Sequence, residues 1–188
     1  DLCHEALEHN FAAVCVNPYY TAFVSRELKG SNVKCCTVTG FPLGNSLMET
    51  KMAETRSALK NGAQEIDTVI NLAALQNNNW GLIEEELVSL AALCHQENAI
   101  IKLILETCLL NRSQIKKACD AAILARVDFV KTSSGFSDAG AKAETVAFMK
   151  ECVQGKILIK ASGSIRTYED ALSMVESGAN RIGTSSGL

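Results

Sequence analysis

The sequence contains no run of about eighteen consecutive apolar residues, the length that a helix needs to cross a bilayer. A membrane span is therefore not expected. No basic stripe is present either, since 18 lysines and arginines stand against 21 acidic residues for a net charge of −3, so nucleic acid is not expected as a partner. The first residues, DLCHEALEHN, are acidic where a secretory signal would be basic and then apolar. They lack an initiator methionine, which leaves open where the gene product begins.

The eight cysteines include no CxxC pair, and no histidine lies at zinc-finger spacing. A structural metal site is therefore not expected. Most of the thiols lie on apolar faces, as reduced core cysteines do, which favours a cytoplasmic protein. Cys15 has no histidine partner nearby in the sequence, so we expect it to pack in the core rather than to act as a nucleophile. The cysteines are at positions 3, 15, 35, 36, 94, 108, 119 and 152.

Short apolar runs recur along a chain whose 188 residues suit one domain, residues 1–188. Several are rich in β-branched residues and almost continuously apolar, which is typical of strands covered on both faces. The seven runs that we interpret as strands are 12–17, 33–41, 65–71, 99–107, 128–133, 157–162 and 181–185.

Segments with helical periodicity separate these runs. One apolar face is formed by Ile83, Leu87, Leu90 and Cys94, and another by Ile115, Ala118, Cys119 and Ala122. Capping boxes are predicted at Ser46–Glu49, at Thr167–Asp170 and, in a weaker form, at Asn111–Gln114. Gly62 and Gly178 lie where two of the helices should end.

Strands that alternate with helices pair in parallel through right-handed crossovers. Lys102, Lys131 and Lys160 recur at intervals of 29 residues, one strand–helix unit each time, and no GxGxxG motif is present. This regularity favours an α/β fold of the (β/α)8 TIM-barrel type over a doubly wound sheet. Because only seven strands are found and the chain stops after the last of them, we expect either that the barrel's first strand and last helix are missing from this chain or that the fold departs from a full barrel.

Polar residues lie within the later strands, near the ends where the active sites of such barrels lie. Strand alternation places Lys102 and Glu106 on one face, and Asp67 is inside the third run. An acid and three lysines could therefore face one barrel mouth. An ion pair between Asp67 and Lys102 that serves only stability remains an alternative, although buried pairs contribute little net stability.

The segment FVKTSSGF places Lys131 inside a buried run, beside small hydroxyl residues. An edge strand, a phosphate-binding loop and a reactive amine are the three interpretations. A free lysine titrates near pH ~10.4, whereas attack on a carbonyl needs the neutral amine. With Lys160 beside it, we expect the pKa of Lys131 to fall by about three units, which would favour a Schiff-base enzyme.

Small residues cluster at the ends of the last three strands, in SSG at 133–135, SGS at 162–164 and GTSSG at 183–187. Glycine lets backbone N–H groups approach an anion, and serine adds hydroxyl donors. Each segment alone is typical of a turn. Together they favour a phosphate site, and hence a phosphorylated carbonyl compound as the substrate.

The segments VNPYY, TVTGFPLG, EIDTVIN, KLILET, FVKTSSGF, IKASGSIRT and RIGTSSG occur in the order and spacing of one family. The whole chain thereby resembles the deoxyribose-phosphate aldolases. The resemblance implies a cytoplasmic class I aldolase, without metal or other cofactor, that reversibly cleaves 2-deoxy-D-ribose 5-phosphate to glyceraldehyde 3-phosphate and acetaldehyde. It also allows a homodimer.

The resemblance implies a role for each matching residue. Lys131 would form the Schiff base, Lys160 would depress its pKa and assist proton transfer, and Asp67 would belong to the proton relay. Lys102 would support the charge network. The residues that match phosphate-holding positions are Gly135, Gly163, Ser185 and Ser186.

Two positions depart from the family pattern. Ser164 stands where a second glycine is usual, and Arg126–Val127 replaces a usual Gly–Ala turn. Two other functions stay open: another lysine-dependent aldolase acting on a phosphorylated sugar, or an inactive barrel fragment that only binds phosphate.

Overall fold

Strands and helices alternate through residues 1–187, the part of the chain that the computed structural model describes. None of the helices in this range is long and apolar enough to cross a membrane. Short 3₁₀ turns follow the first and fourth strands. The strands are β1 Ala13–Val16, β2 Lys34–Thr39, β3 Glu65–Val69, β4 Ile100–Ile104, β5 Phe129–Lys131, β6 Leu158–Ser162 and β7 Arg181–Gly183. The helices are α1 Leu2–Glu8, α2 Thr21–Glu27, α3 Met48–Lys60, α4 Leu72–Gln76, α5 Trp80–Gln96, α6 Arg112–Leu124, α7 Ala143–Val153 and α8 Tyr168–Glu176.

All seven strands pair in parallel in the order β1-β2-β3-β4-β5-β6-β7. Each strand neighbours the next one along the chain, and the order never reverses as it does in a doubly wound sheet. This confirms the predicted barrel winding and each of the seven predicted strands. The strands are shorter than the apolar runs because the runs continue into the loops, as at Thr132 and Ser133, which are buried beyond the end of β5.

The sheet is strongly curled. The Asp67 carboxylate on β3 lies 3.0 Å from Lys160 Nζ on β6, three strands away. In a flat sheet, strands three positions apart would be separated by about 14 Å. Arg181 on β7 lies 2.8 Å from Glu65 on β3, four strands away. Side chains from both halves of the sheet therefore meet on its concave face.

The apolar core lies on the convex face, between the sheet and the helices. Strand alternation turns Ile66, Leu103, Val130 and Ile159 outward into one continuous cluster. The predicted helix faces join it: Ile83, Leu87, Leu90 and Cys94 from α5, and Ile115, Ala118, Cys119 and Ala122 from α6. A smaller cluster forms where α1 and α2 pack on β1 and β2.

Two of the three predicted capping boxes are confirmed, those that begin α6 at Asn111 and α8 at Thr167. The third is wrong. Helix α3 begins at Met48 with Leu47 as its N-cap, so Ser46 lies one residue too early to bond the first turn. Gly62 and Gly178 both follow helix ends with positive φ, as predicted.

The turn between α6 and β5 is strained at Arg126, which has φ +59° and whose side chain is exposed. Left-handed backbone is costly for residues with a Cβ and is nearly free for glycine. We therefore expect Arg126→Gly to raise the free energy of unfolding by about 0.5–1 kcal/mol, or the melting temperature by about 1–4 °C.

Thermal unfolding followed by circular dichroism measures this change. Arg126→Ala is the matched control, because it removes the same side chain and keeps the Cβ. If Arg126→Gly and Arg126→Ala were equally stable, relief of backbone strain at this turn would not explain the gain in stability.

Candidate active site

The carboxylate of Asp67 lies at the centre of the concave face and is completely buried. Its Oδ2 accepts hydrogen bonds from Lys131 Nζ at 2.8 Å and from Lys160 Nζ at 3.0 Å. Its Oδ1 accepts one from Lys102 Nζ at 2.8 Å. The structure thus brings together all four residues of the predicted acid–lysine group.

Strand register explains why these side chains meet. Asp67 and Lys102 are register partners on β3 and β4, and Lys131 and Lys160 are partners on β5 and β6. Partners in adjacent parallel strands point to the same face. Because the sheet curls, the two pairs face each other across the concave side, and the recurrence of lysine every 29 residues becomes one cluster.

A second buried acid, Glu65, lies two residues before Asp67 on β3 and therefore on the same face. It pairs with Lys102 and forms a two-pronged contact with Arg181 Nη1, at 2.8 Å to each carboxylate oxygen. The Arg181 guanidinium also lies over the ring of Phe129, 5.1 Å from its centroid. Sequence reasoning missed Glu65 and Arg181, although the alternation that selected Asp67 also places Glu65 on the concave face.

The cluster holds more positive than negative charge, with three lysines and an arginine around two carboxylates. Burial favours the neutral form of Asp67, but the ammonium groups of Lys131, Lys160 and Lys102 outweigh it and hold the pKa of this carboxyl well below its usual range. The acid therefore stays ionised at physiological pH.

The expected fall in the pKa of Lys131 is wrong for this arrangement. Burial does oppose its charge, but the direct ion pair with Asp67 outweighs burial and raises the pKa. The same balance, with Cys36 and Glu65 adding to the effect of Asp67, raises the pKa of Lys102. The expected fall assumed repulsion between two neighbouring lysines, whereas in the structure one oxygen of Asp67 accepts hydrogen bonds from both.

Two cavities reach the lysines, and Cys15 on β1 lines both of them. One, of about 370 Å³, is lined by Lys131, Cys15 and three aromatic side chains, Tyr20, Phe41 and Phe136. The rings of Phe41 and Phe136 stack edge to face with centroids 5.2 Å apart. The other, of about 490 Å³, is lined by Lys160, Arg181, Cys15 and Ser185, between β1 and β7.

Cys15 corrects another expectation. It lies on the concave face with an exposed side chain and lines both cavities, rather than packing in the core. The expectation failed because only one face of β1 packs on the α1–α2 cluster. The opposite face, which carries Cys15, borders the two cavities.

The small-residue segments lie together at the carboxyl ends of β5, β6 and β7. Gly163 has φ +82°, and a Cβ built on it would lie 3.0 Å from the Cα of Gly140 and 3.8 Å from that of Gly135. Glycine at these positions lets the loops after β5 and β6 touch. Apart from its being a glycine, nothing in the sequence around Gly140 predicts this contact.

Hydrogen bonds tie these loops to one another. Ser162 Oγ donates to the Ser133 carbonyl at 2.8 Å, and Thr132 Oγ1 donates to the Ser162 carbonyl at 3.0 Å. Thr184 Oγ1 donates to the carbonyl of Ile165 at 2.6 Å, which joins the loop after β7 to the loop after β6. Ser185 and Ser186 lie on that last loop, and both are exposed.

Two further residues at this rim adopt left-handed backbone. Ser164, at φ +60°, stands where the sequence pattern has a second glycine. Glu106, at φ +55°, is buried and accepts hydrogen bonds from the backbone N–H and the hydroxyl of Ser134. Glu106 therefore anchors the loop that follows Lys131.

Replacing the central carboxylate tests its role. Asp67→Asn would leave three buried ammonium groups without their shared partner, so we expect the free energy of unfolding at pH 7 to fall by about 3–5 kcal/mol. Asp120→Asn is the control: this acid makes an exposed pair with Lys116 four residues away, and its loss should cost about 0.5 kcal/mol or less.

The pH dependence follows from the lowered pKa of Asp67. The stabilisation is fully present above the unfolded pKa, near ~3.9, and is lost as the pH falls through the lower folded value. The difference between the wild type and Asp67→Asn should therefore shrink on acidification. Urea unfolding at several pH values measures it, and equal losses for both variants at pH 7 would contradict the central role of Asp67.

Comparison with known proteins finds aldolases that match this chain over its whole length. A family model described as DeoC/LacD family aldolase matches residues 1–188. A deoxyribose-phosphate aldolase of Clostridium tetani is 49% identical over 187 residues, which are 100% of this chain and 86% of the relative. One of Caldicellulosiruptor saccharolyticus is 51% identical over 188 residues, with the same coverage. The solved structure of QR15, an aldolase, superposes with a TM-score of 0.93 at 43% identity and covers 98% of this chain and 82% of that one.

Proposed function

The chain belongs to the DeoC/LacD family of aldolases, and from this premise we propose that it reversibly cleaves 2-deoxy-D-ribose 5-phosphate through a Schiff base on Lys131. The products are acetaldehyde and D-glyceraldehyde 3-phosphate. The observation that carries the proposal is the pair of buried lysines, Lys131 and Lys160, held on one oxygen of Asp67 beneath a rim of glycine and serine loops.

The shared oxygen offers a way to free the amine. If Lys131 loses its proton, Lys160 still donates to Oδ2 of Asp67, so the carboxylate does not lose all its partners. Loss of one proton also reduces the excess positive charge of the cluster. The resting ion pair therefore keeps Lys131 charged, and a neutral amine can form without stranding the buried acid.

The bond changes follow ordinary imine chemistry. The neutral amine of Lys131 adds to the C1 aldehyde of the open-chain sugar, and water leaves to give a protonated imine. A base removes the proton of the C3 hydroxyl, the C2–C3 bond breaks, and its electrons move into the imine to form an enamine. Protonation at C2 and hydrolysis release acetaldehyde. Lys160 and Asp67, directly beside the amine, are the groups proposed to move these protons.

The substrate's phosphate is proposed to bind at the rim, on the loops that carry Gly135, Gly163, Ser185 and Ser186. All four residues follow strands β5 to β7 at their carboxyl ends, which is the usual phosphate side of such barrels. Lys102 is proposed to support the charge network. It pairs with Asp67 and Glu65 and lines neither of the cavities described above. A homodimer stays a prediction.

Trapping the imine tests the covalent step. With 2-deoxy-D-ribose 5-phosphate and borohydride, we expect a reduced adduct on Lys131 in peptide maps. Lys131→Met should lose the adduct, and its cleavage activity should fall by about 10³-fold or more. Lys160→Met should still form the adduct, but more slowly.

Lys156→Met is the matched control, because Lys156 is exposed in the turn before β6, away from the cluster. It should retain the adduct and the activity. A folded wild-type chain without any adduct on Lys131 would overturn the aldolase proposal and favour a barrel that only binds phosphate. Adducts from other phosphorylated sugars alone would favour a different lysine-dependent aldolase.

The phosphate site is tested by Gly163→Ala. A Cβ there meets the loop after β5 and strains the backbone, so we expect the KM for the phosphorylated sugar to rise by about 10- to 100-fold, the loss of one charge-assisted hydrogen bond. Cleavage of unphosphorylated 2-deoxyribose should change little.

Gly155→Ala supplies the control for backbone strain. Gly155 has φ +72°, but nothing lies within 4 Å of its built Cβ, and it lies in the turn between α7 and β6, at the other end of the strands. Gly155→Ala should have the same backbone strain as Gly163→Ala and should leave the KM for the phosphorylated sugar unchanged. If the KM for both sugars rose equally in Gly163→Ala, the loop would not be a phosphate site.

A further inference from the structure

Two cysteines face each other beside the amine cluster. Cys15 on β1 and Cys36 on β2 are register partners, and both side chains lie on the concave face. Their sulfur atoms and a carboxylate oxygen of Asp67 all lie within 4.8 Å of one another. The cleavage mechanism assigns no step to either thiol.

The backbone geometry suits a disulfide between them. Adjacent strands lie about 4.8 Å apart, inside the range of about 4.4–6.8 Å that disulfides require between Cα atoms. β1 and β2 pair in register at four positions, and Cys15 with Cys36 is one of these pairs.

The two thiols differ in environment, as an attacking and a resolving cysteine should. Cys36 is fully buried, and its Sγ donates to Asp67 Oδ1 at 3.3 Å. Cys15 is exposed. The adjacent Cys36 thiol, with a smaller effect from the nearby lysines, lowers the pKa of Cys15 to about 7, whereas the adjacent Cys15 thiol together with burial raises the pKa of Cys36. Cys15 is therefore deprotonated more readily than Cys36 and is the better nucleophile of the two.

We propose that hydroperoxides convert Cys15 and Cys36 into a reversible disulfide that closes the neighbouring amine site. The effect on catalysis rests on the proposed aldolase function, whereas formation of the bond does not.

The chemistry balances with hydrogen peroxide as the oxidant. The Cys15 thiolate attacks one peroxide oxygen, the O–O bond breaks, and hydroxide leaves as Cys15 becomes a sulfenic acid. The sulfur of Cys36 then attacks the sulfenic sulfur, its proton leaves with the hydroxyl as water, and the disulfide forms. In sum, two thiols and one peroxide give one disulfide and two water molecules.

The disulfide would act on the amines in two ways. It removes the S–H group that Cys36 donates to Asp67 Oδ1, and so changes the set of donors around the carboxylate that holds Lys131 and Lys160. It also changes the shape of both cavities, since Cys15 lines each of them.

The same three residues are a poor metal site. Asp67 already accepts hydrogen bonds from three ammonium groups, and Lys102 Nζ lies 3.7 Å from Cys36 Sγ. A divalent cation would have to displace or neutralise these lysines. Oxidation of the thiols has no such cost.

Another cysteine pair in the chain provides an internal control. Cys119 on α6 and Cys152 on α7 are close enough for their thiols to hydrogen-bond, and both are buried. Burial raises the pKa of each. Because a protonated thiol reacts poorly with peroxide, this pair should stay reduced while Cys15 and Cys36 oxidise.

The experiment treats the fully reduced chain with hydrogen peroxide, blocks free thiols with N-ethylmaleimide and maps the peptides. We expect a Cys15–Cys36 cross-linked peptide that is two hydrogens lighter, with Cys119 and Cys152 alkylated after unfolding. Cleavage activity should fall by about 10- to 100-fold and return with dithiothreitol.

Two variants sharpen the result. Cys36→Ala should lose the cross-link, and peroxide should then carry Cys15 to oxidised forms that dithiothreitol does not fully restore. Cys108→Ser removes an exposed thiol that follows β4 and should leave the cross-link and the reversible loss intact.

A readout that needs no carbon–carbon cleavage separates the two proposals. Acetaldehyde with cyanoborohydride should ethylate Lys131 in the reduced chain and much less in the oxidised chain. If the reduced chain failed to cleave sugars, the aldolase proposal would fall and this difference would still support the switch. Absence of the cross-link, or equal ethylation in both states, would overturn the disulfide proposal.

Discussion

The buried carboxylate of Asp67 is the interaction on which the rest of the concave face depends. Each ammonium group taken out of water costs several kcal/mol unless a well-placed partner compensates for it, and three of them converge on this one acid. The four strands from β3 to β6 each contribute one of these charged groups. The charge balance therefore links strands that are not neighbours and favours the curled sheet over a flat one.

The curled, singly wound sheet divides the site into a floor and a rim. The floor consists of charged side chains inside the strands, where alternation and register decide which of them meet. The rim consists of loops at the carboxyl ends of β5 to β7, where Gly163 packs on Gly140 and hydrogen bonds between loops hold their positions. A lysine amine below and the loops proposed to bind phosphate above would suit a phosphorylated carbonyl compound, because each end of such a substrate would meet the group that its chemistry needs.

Much of this arrangement could be predicted from the sequence, since it depends on periodicity. The spacing of Lys102, Lys131 and Lys160 predicted both the strand–helix repeat and the cluster. Contacts set by curvature could not be predicted in the same way. Arg181 contacts Glu65 across the three strands between them, and no local pattern indicates how far the sheet bends. The exposure of Cys15 has the same cause, because it depends on which part of the concave face stays open.

The pKa of Lys131 shows why the composition of a site is not enough to predict its chemistry. Two adjacent lysines suggest mutual repulsion, but an intervening carboxylate turns them into joint donors to one oxygen. The two oxygens of Asp67 then serve different neighbours: Oδ2 holds the two amines, and Oδ1 accepts from Lys102 and Cys36. Any change on the Oδ1 side alters how strongly the acid holds the amines on the Oδ2 side. Cys36, to which the proposed cleavage assigns no step, is therefore linked to Lys131 through a single shared carboxylate.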